Sequence, residues 1–161
     1  MKKIIFLLLI CSMLGMLSGC GDNKEKTEKT DNTEVNVSEL AEKLSTELTF
    51  EDSLSKLDNA VALKYYGIDE TIVQDCAIYI STGATAEEIA VFEANSADNA
   101  ETILAACKTR REKQITSYSD YKPSEVDRLE HYVMVREGNY VVFCVNDDID
   151  KAQEIVNHTI Q

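Results

Sequence analysis

Between Val37 and Gln161 the chain has only three glycines, Gly67, Gly83 and Gly138, and a single proline, Pro123. These two residue types are the strongest breakers of regular structure, so a stretch this poor in them has few places to turn sharply. Apolar spacing then assigns what lies between the breaks. Val37, Leu40, Leu44 and Leu48 recur at helical spacing behind Asn36, with Glu39 as a capping signal, and predict a helix over 37–48. A second helix over 59–66 closes at Gly67, whose missing Cβ permits a left-handed cap with Ile68 folding back. Residues 76–80 and 88–94 are rich in β-branched and aromatic side chains and read as strands. Ser96 opens a helix with Ala100, Ile103, Leu104 and Cys107 on one face. Its acids, Asp98 and Glu101, lie near the start and its cations, Lys108, Arg110, Arg111 and Lys113, near the end, as the helix dipole favours. After a loop over 118–123, residues 132–136 and 139–145 alternate as strands about a Glu137-Gly138 turn. Asp147 and Asp148 cap a last helix carrying Ile149, Ala152, Ile155 and Val156.

That order predicts an α+β fold in which two β-hairpins joined by a helix form a four-stranded, mainly antiparallel sheet with helices packed on it, preceded by helical segments. Residues 37–161 hold ten of the eleven aromatic side chains and contain no internal repeat. A chain of that length buries about two-thirds of its surface on folding, enough for one core.

The first nineteen residues have a different composition. Lys2 and Lys3 precede a fourteen-residue apolar run, Ile4 to Leu17, broken only by Cys11, Ser12 and Gly15. A membrane-spanning helix needs about 20 apolar residues, so the run reads as the core of an export signal. Leu17-Ser18-Gly19-Cys20 follows directly and resembles the lipobox of bacterial lipoproteins at all four positions. The resemblance implies recognition of Leu17, Ser18 and Gly19 by a signal peptidase, diacylglyceryl transfer to the Cys20 sulfur, and cleavage before Cys20. The protein is then expected on the extracytoplasmic face of the cell membrane, held in the bilayer through diacylglyceryl-Cys20. Two acyl chains anchor stably where one binds only reversibly. Residues 21–36, with Val35 the only aliphatic side chain, cannot offset the entropy of ordering and are expected to form a disordered polar tether. The organisation is thus a signal peptide over 1–19, a lipidated Cys and tether over 20–36, and one domain over 37–161.

The whole chain carries a net charge of −13, which moves to −15 when residues 1–19 and their two lysines are removed. Binding to nucleic acid by neutralising phosphates is excluded on that balance. His131 and His158 stand outside any metal-ligand spacing, and nothing points to a metal or a cofactor. Cys76, Cys107 and Cys144 fall in expected helix or strand and read as small core side chains, with one disulfide among them, or a nucleophilic thiol, still open. The Ser81–Glu88 stretch, STGATAEE, lacks the Gly-Lys-Ser/Thr ending of a phosphate loop. Two readings of it remain. In one it presents Ser81, Thr82, Gly83, Thr85, Glu87 and Glu88 to a partner; in the other it is a hairpin connection, with Gly83 at positive φ and Glu87 and Glu88 solvated on an edge strand. Tyr118 and Tyr121 likewise read either as a platform for sugar rings or as a loop folded over the core. Asp147, Asp148 and Asp150 read as helix caps or as a cation site.

Segments across most of the domain also resemble a family of small uncharacterised lipoproteins of Gram-positive bacteria, defined by a domain of unknown function. The matching stretches are LKYYGID at 63–69, YISTGATAEEIAVF at 79–92, RREKQITSYSDYKPSEV at 110–126 and GNYVVFCVNDD at 138–148. The resemblance implies an envelope lipoprotein and carries over no activity, ligand or catalytic residue. The expected function is a non-catalytic, membrane-anchored module that binds an envelope protein or a glycan. A small envelope hydrolase using Ser, Cys or carboxylate residues is the alternative.

Overall fold

The computed structural model describes residues 35–160; the expected signal peptide, Leu17-Ser18-Gly19-Cys20 and nearly all of the tether lie outside the described residues. Val35 and Asn36, which precede the expected boundary, are already part of the described structure. Val35 is buried, and its amide donates to Tyr140 Oη at 3.2 Å.

Helix α1 (Val37–Glu47) starts as its sequence predicts, with Asn36 accepting from the Glu39 amide. Strand β1 (Ser55–Lys56) follows, then α2 (Asn59–Tyr66), capped by Asp58 and closed by Gly67 at φ 69°. The Ile68 amide folds back onto the Leu63 carbonyl at 2.9 Å. A single 3₁₀ turn over Glu70–Ile72 leads into β2 (Val73–Ile80), which is paired with β3 (Glu88–Ala94). Helix α3 (Ala97–Tyr121) is capped by Ser96, and α4 (Ser124–Glu130) follows it past Pro123. The second hairpin is β4 (Tyr132–Glu137) and β5 (Tyr140–Val145); α5 (Ile149–Ile160) closes the fold, with Asp148 accepting from the Lys151 amide.

Four expectations need correction. The sheet has five strands in the order β1-β2-β3-β5-β4, all antiparallel, rather than four. The extra strand is two exposed residues long and has no apolar alternation to announce it. Residues 118–121 are helix rather than loop, and Lys108–Lys113 sit in mid-helix, because nothing breaks α3 before Pro123. Helix α4 was not foreseen, since Val126 and Leu129 are its only apolar side chains. The β4–β5 turn is Gly138-Asn139, one residue later than expected: Glu137 pairs with Tyr140, which leaves Gly138 at φ 53° as the first turn residue.

The sheet is covered on both faces. Alternate side chains, among them Ile78, Ala90, Phe92, Val141 and Phe143, meet α2, α3 and α4 through Tyr66, Ile103, Cys107 and Leu129. Their neighbours in sequence, including Ala77, Ile89, Val91, Val142 and Cys144, meet α1 and α5 through Leu40, Leu44, Ala152 and Val156. Double coverage explains why β3 and β5 read as continuous apolar runs rather than as alternating ones. Tyr66 sets its ring edge against Phe92 at a centroid distance of 5.2 Å. Phe92→Ala is expected to cost about 3–5 kcal/mol, as large cavities at fully buried aromatic sites do, read as a lowered urea midpoint at unchanged slope.

Candidate functional site

Because side chains alternate across a strand, the adjacent Glu87 and Glu88 face opposite sides of the sheet. Both sides are covered, so both carboxylates are buried, Glu88 completely. Glu88 opens a central strand, not an edge strand, and neither acid is solvated. A carboxylate in such a place must be hydrogen-bonded or its burial is prohibitive. Glu88 accepts from Tyr66 Oη at 2.5 Å, from Arg110 Nη2 at 2.9 Å with Nε at 3.4 Å, and from Gln114 Nε2 at 2.9 Å. Arg110 and Gln114 are four residues apart, so both fall on the face of α3 turned to the sheet. Burial opposes the charge on Arg110, but the Glu88 carboxylate outweighs it and raises the guanidinium above its ordinary value. Burial, and then the Glu88 charge, push the Tyr66 phenol well up.

Glu87, on the other side, accepts from the Glu51 and Asp52 amides at 2.8 and 2.9 Å and from Thr85 Oγ1 at 2.9 Å. A third buried acid, Glu125 of α4, accepts from the Ala86 amide at 2.8 Å and pairs with Lys122 at 2.9 Å and Arg128 at 2.8 Å. These contacts clamp the connection between β2 and β3. Asp52 takes the Thr82 amide at 2.8 Å and its hydroxyl at 2.5 Å, and the hydroxyl bond lowers the Asp52 carboxyl below its ordinary value. Tyr118 Oη donates to the Thr85 carbonyl at 2.5 Å with the Gly83 carbonyl close by at 3.2 Å, and Lys122 Nζ donates to the Ala84 carbonyl at 2.9 Å. Gly83 itself sits at φ 97°, as the hairpin reading expects and as a residue without Cβ allows.

Above Glu88, between α3 and this loop, lies a cavity of about 260 Å³ lined by Tyr65, Gly83, Arg110, Gln114, Ser117, Tyr118 and Tyr121. The sequence-predicted residues divide around it. Gly83, Tyr118 and Tyr121 are brought together at its rim, and Glu88 lies beneath its floor. Thr85 and Glu87 are buried elsewhere in the clamp, Ser81 donates to the Thr85 carbonyl within the loop, and Thr82 donates to Asp52. Tyr65, Gln114 and Ser117 were not anticipated. Gln114 is 6 % exposed; its amide nitrogen serves Glu88, while its Oε1 is buried with no hydrogen-bond partner. Arg110 stacks on the Tyr65 ring at 4.2 Å from the centroid. The pair of residue types Arg110 and Gln114, at positions continuing the stripe of Ile103 and Cys107, was the available signal.

The remaining candidates are structural. Cys76, Cys107 and Cys144 are free and buried. Burial pushes the Cys76 thiol up to about 11 and that of Cys144 to about 12, and it raises Cys107 further. His131 and His158 are exposed, and no group of His, Cys, Asp or Glu suited to a metal ion occurs among the described residues. Asp147 pairs with Arg128 at 2.9 Å and Asp148 caps α5. Arg111 donates to the Leu129 carbonyl at 2.6 Å and lies over the Tyr132 ring. No described helix is long and apolar enough to cross a membrane.

Glu88→Gln leaves the Arg110 guanidinium without its counter-charge and is expected to cost roughly 3 kcal/mol, the low end for breaking a buried pair, since the Arg110 side chain keeps 15 % exposure. Pairing it with Arg110→Met is expected to recover most of that loss in urea unfolding. The thiols and Tyr66 are held protonated in the fold, so their contribution is complete below the unfolded values, about 8.5 for Cys and about 10 for Tyr, and is lost as pH rises. The urea midpoint is expected to fall between pH 7 and pH 10.5. Native protein is expected to protect all three thiols from iodoacetamide, as read by peptide mass spectrometry.

Comparison with known proteins places this architecture. No curated protein and no solved structure matches the chain. A family model described as a domain of unknown function, DUF4358, matches residues 46–146. That span runs from the end of α1 to the residue after β5, and it takes in both hairpins, the clamped loop, and every side chain of the cavity and of the Glu88 network. The chain belongs to the DUF4358 family.

Proposed function

We propose that the protein is a lipid-anchored extracytoplasmic lipoprotein whose domain is a non-catalytic binding module of the cell envelope. The anchor is supported by the run from Ile4 to Leu17 ending in Leu17-Ser18-Gly19-Cys20, with diacylglyceryl-Cys20 in the bilayer. The observation that carries the binding half is the cavity that Tyr65, Arg110, Gln114 and Tyr121 line beside the clamped loop. Gln114 also keeps a buried Oε1 without a hydrogen-bond partner next to it, which costs the fold about 1–3 kcal/mol.

A hydrolase using Ser, Cys or carboxylate residues is the weaker reading. A thiol attacks as its thiolate, and the three described thiols are held protonated. Glu87, Glu88 and Glu125 each accept several internal hydrogen bonds and are committed to holding the fold.

Mass spectrometry of the native protein from membranes is expected to find a chain beginning at Cys20 with a diacylglyceryl addition on its sulfur. Replacing residues 1–20 by an ordinary cleaved secretory leader is expected to move the folded domain into the soluble extracytoplasmic fraction. Retention of that variant on membranes after a high-salt wash would contradict the lipid anchor.

A further inference from the structure

We infer that the cavity between α3 and the β2–β3 loop is a sugar site that takes one neutral pyranose ring. The inference rests on the binding-module reading above and names its ligand chemistry. At about 260 Å³ the space lies just under the ~300–1,000 Å³ of common ligand pockets, which suits one six-membered ring with its hydroxyls and not an extended chain.

Its walls are aromatic. Tyr65 and Tyr121 are 48 % and 70 % exposed; Arg110 lies over the Tyr65 ring, Tyr118 is buried against the core, and the Tyr121 ring, 6.1 Å from that of Tyr118, offers the most exposed aromatic surface. A flat apolar face with a polar rim is what the C–H face of a pyranose needs.

Its floor is polar in a particular way. Arg110 Nη2 and Gln114 Nε2 both donate to the same atom, Glu88 Oε2, so the guanidinium and the amide lie side by side. Arg110 directs two of its nitrogens to Glu88, and a guanidinium has five N–H donors, so N–H groups not used by Glu88 remain on a side chain that lines the cavity. Such donors complement the hydroxyl oxygens of a sugar.

Charge argues for a neutral ligand. The Arg110 cation is already paired with Glu88 at 2.9 Å, so an anion meets no uncompensated positive charge and a cation meets an arginine. The site is also formed in advance: Tyr118 fastens the Gly83–Thr85 carbonyls and Glu88 fixes Arg110 and Gln114, so little ordering is left for the ligand to bring about.

The test titrates the full lipid-anchored chain, tyrosine-labelled and held in detergent micelles, with D-glucose, N-acetylglucosamine and inorganic phosphate, following the ring resonances of its seven tyrosines by NMR. At least one of the two sugars is expected to shift Tyr65, Tyr118 and Tyr121 selectively, with a Kd of about 1–10 mM, as befits a single small ring. Tyr121→Ala, a change at an exposed side chain, is expected to weaken that binding at least fivefold with the melting temperature unchanged, and Gln114→Met to weaken it similarly. Shifts produced by phosphate and not by either sugar would overturn the sugar assignment while leaving a binding cavity. No shift of these rings up to about 50 mM of each sugar, well above the expected range, or equal sugar affinity in Tyr121→Ala, would also overturn it. The anchor is judged separately by the mass of Cys20, so the two readings fail independently.

Discussion

The architecture turns on a carboxylate placed where water cannot reach it. Glu88 begins the central strand β3 on the face covered by α3, and its burial is tolerable only because Tyr66, Arg110 and Gln114 converge on it. Those three side chains come from two helices, so satisfying one acid fixes how α2 and α3 both lie against the sheet. Sliding α3 by one turn would bring Ala106 or Tyr118 to one of the two positions that Arg110 and Gln114 now hold, and the acid would lose a donor and its present pairing geometry. An apolar residue at position 88 could pack as well or better, since buried ion pairs are seldom net stabilising. What the pair supplies is a single permitted register between helix and strand.

The same device recurs on a smaller scale around the β2–β3 connection. Glu87 gathers two backbone amides from the 51–52 segment, and Glu125 gathers the Ala86 amide and two cations, Arg128 of α4 and Lys122 at the C-terminal end of α3. Together with Asp52 and Tyr118 they account for nearly every polar group in the loop. A chain with 29 acidic side chains against 16 basic ones thus uses part of its acid surplus inside, as acceptors for backbone N–H groups that have no strand or helix partner. The loop that results is fixed in shape, and so is the cavity wall it forms.

Much of the fold was legible in the sequence because local chemistry marks it. Asn36, Ser96 and Gly67 bound their helices where their side chains, or the lack of one, demand, and the run EIAVFEA is β3 to the residue. The errors have physical causes. Cations from Lys108 to Arg111 suggested a helix end, but a helix with no breaker continues, and α3 carries on to Tyr121. A two-residue exposed strand and a seven-residue helix are too short for periodicity to register. Reading Glu87 and Glu88 as solvated assumed an edge strand, whereas β3 is the central strand and helices cover both faces of the sheet there. Tyr118 and Tyr121 lie on α3 rather than on the expected loop, and Gln114 was invisible because a polar residue on a charged helix looks like surface until its stripe is followed from Ile103 through Cys107 and Arg110.

Gln114 sets this face of the sheet apart from the other, because its polar group is buried where an apolar one would pack. Glu88 already has the Tyr66 hydroxyl and the Arg110 guanidinium, and a leucine at 114 would fill the same volume without a stranded oxygen. Tyr65 and Tyr121 leave large aromatic faces in solvent within reach of Gln114. The layer formed with α1 and α5 has no counterpart to these features, since it is filled by small and branched apolar side chains. The two faces of the sheet thus differ in kind: one is closed by apolar packing, and the other joins a buried ion-pair network to exposed tyrosines and a loop fixed by its own hydrogen bonds.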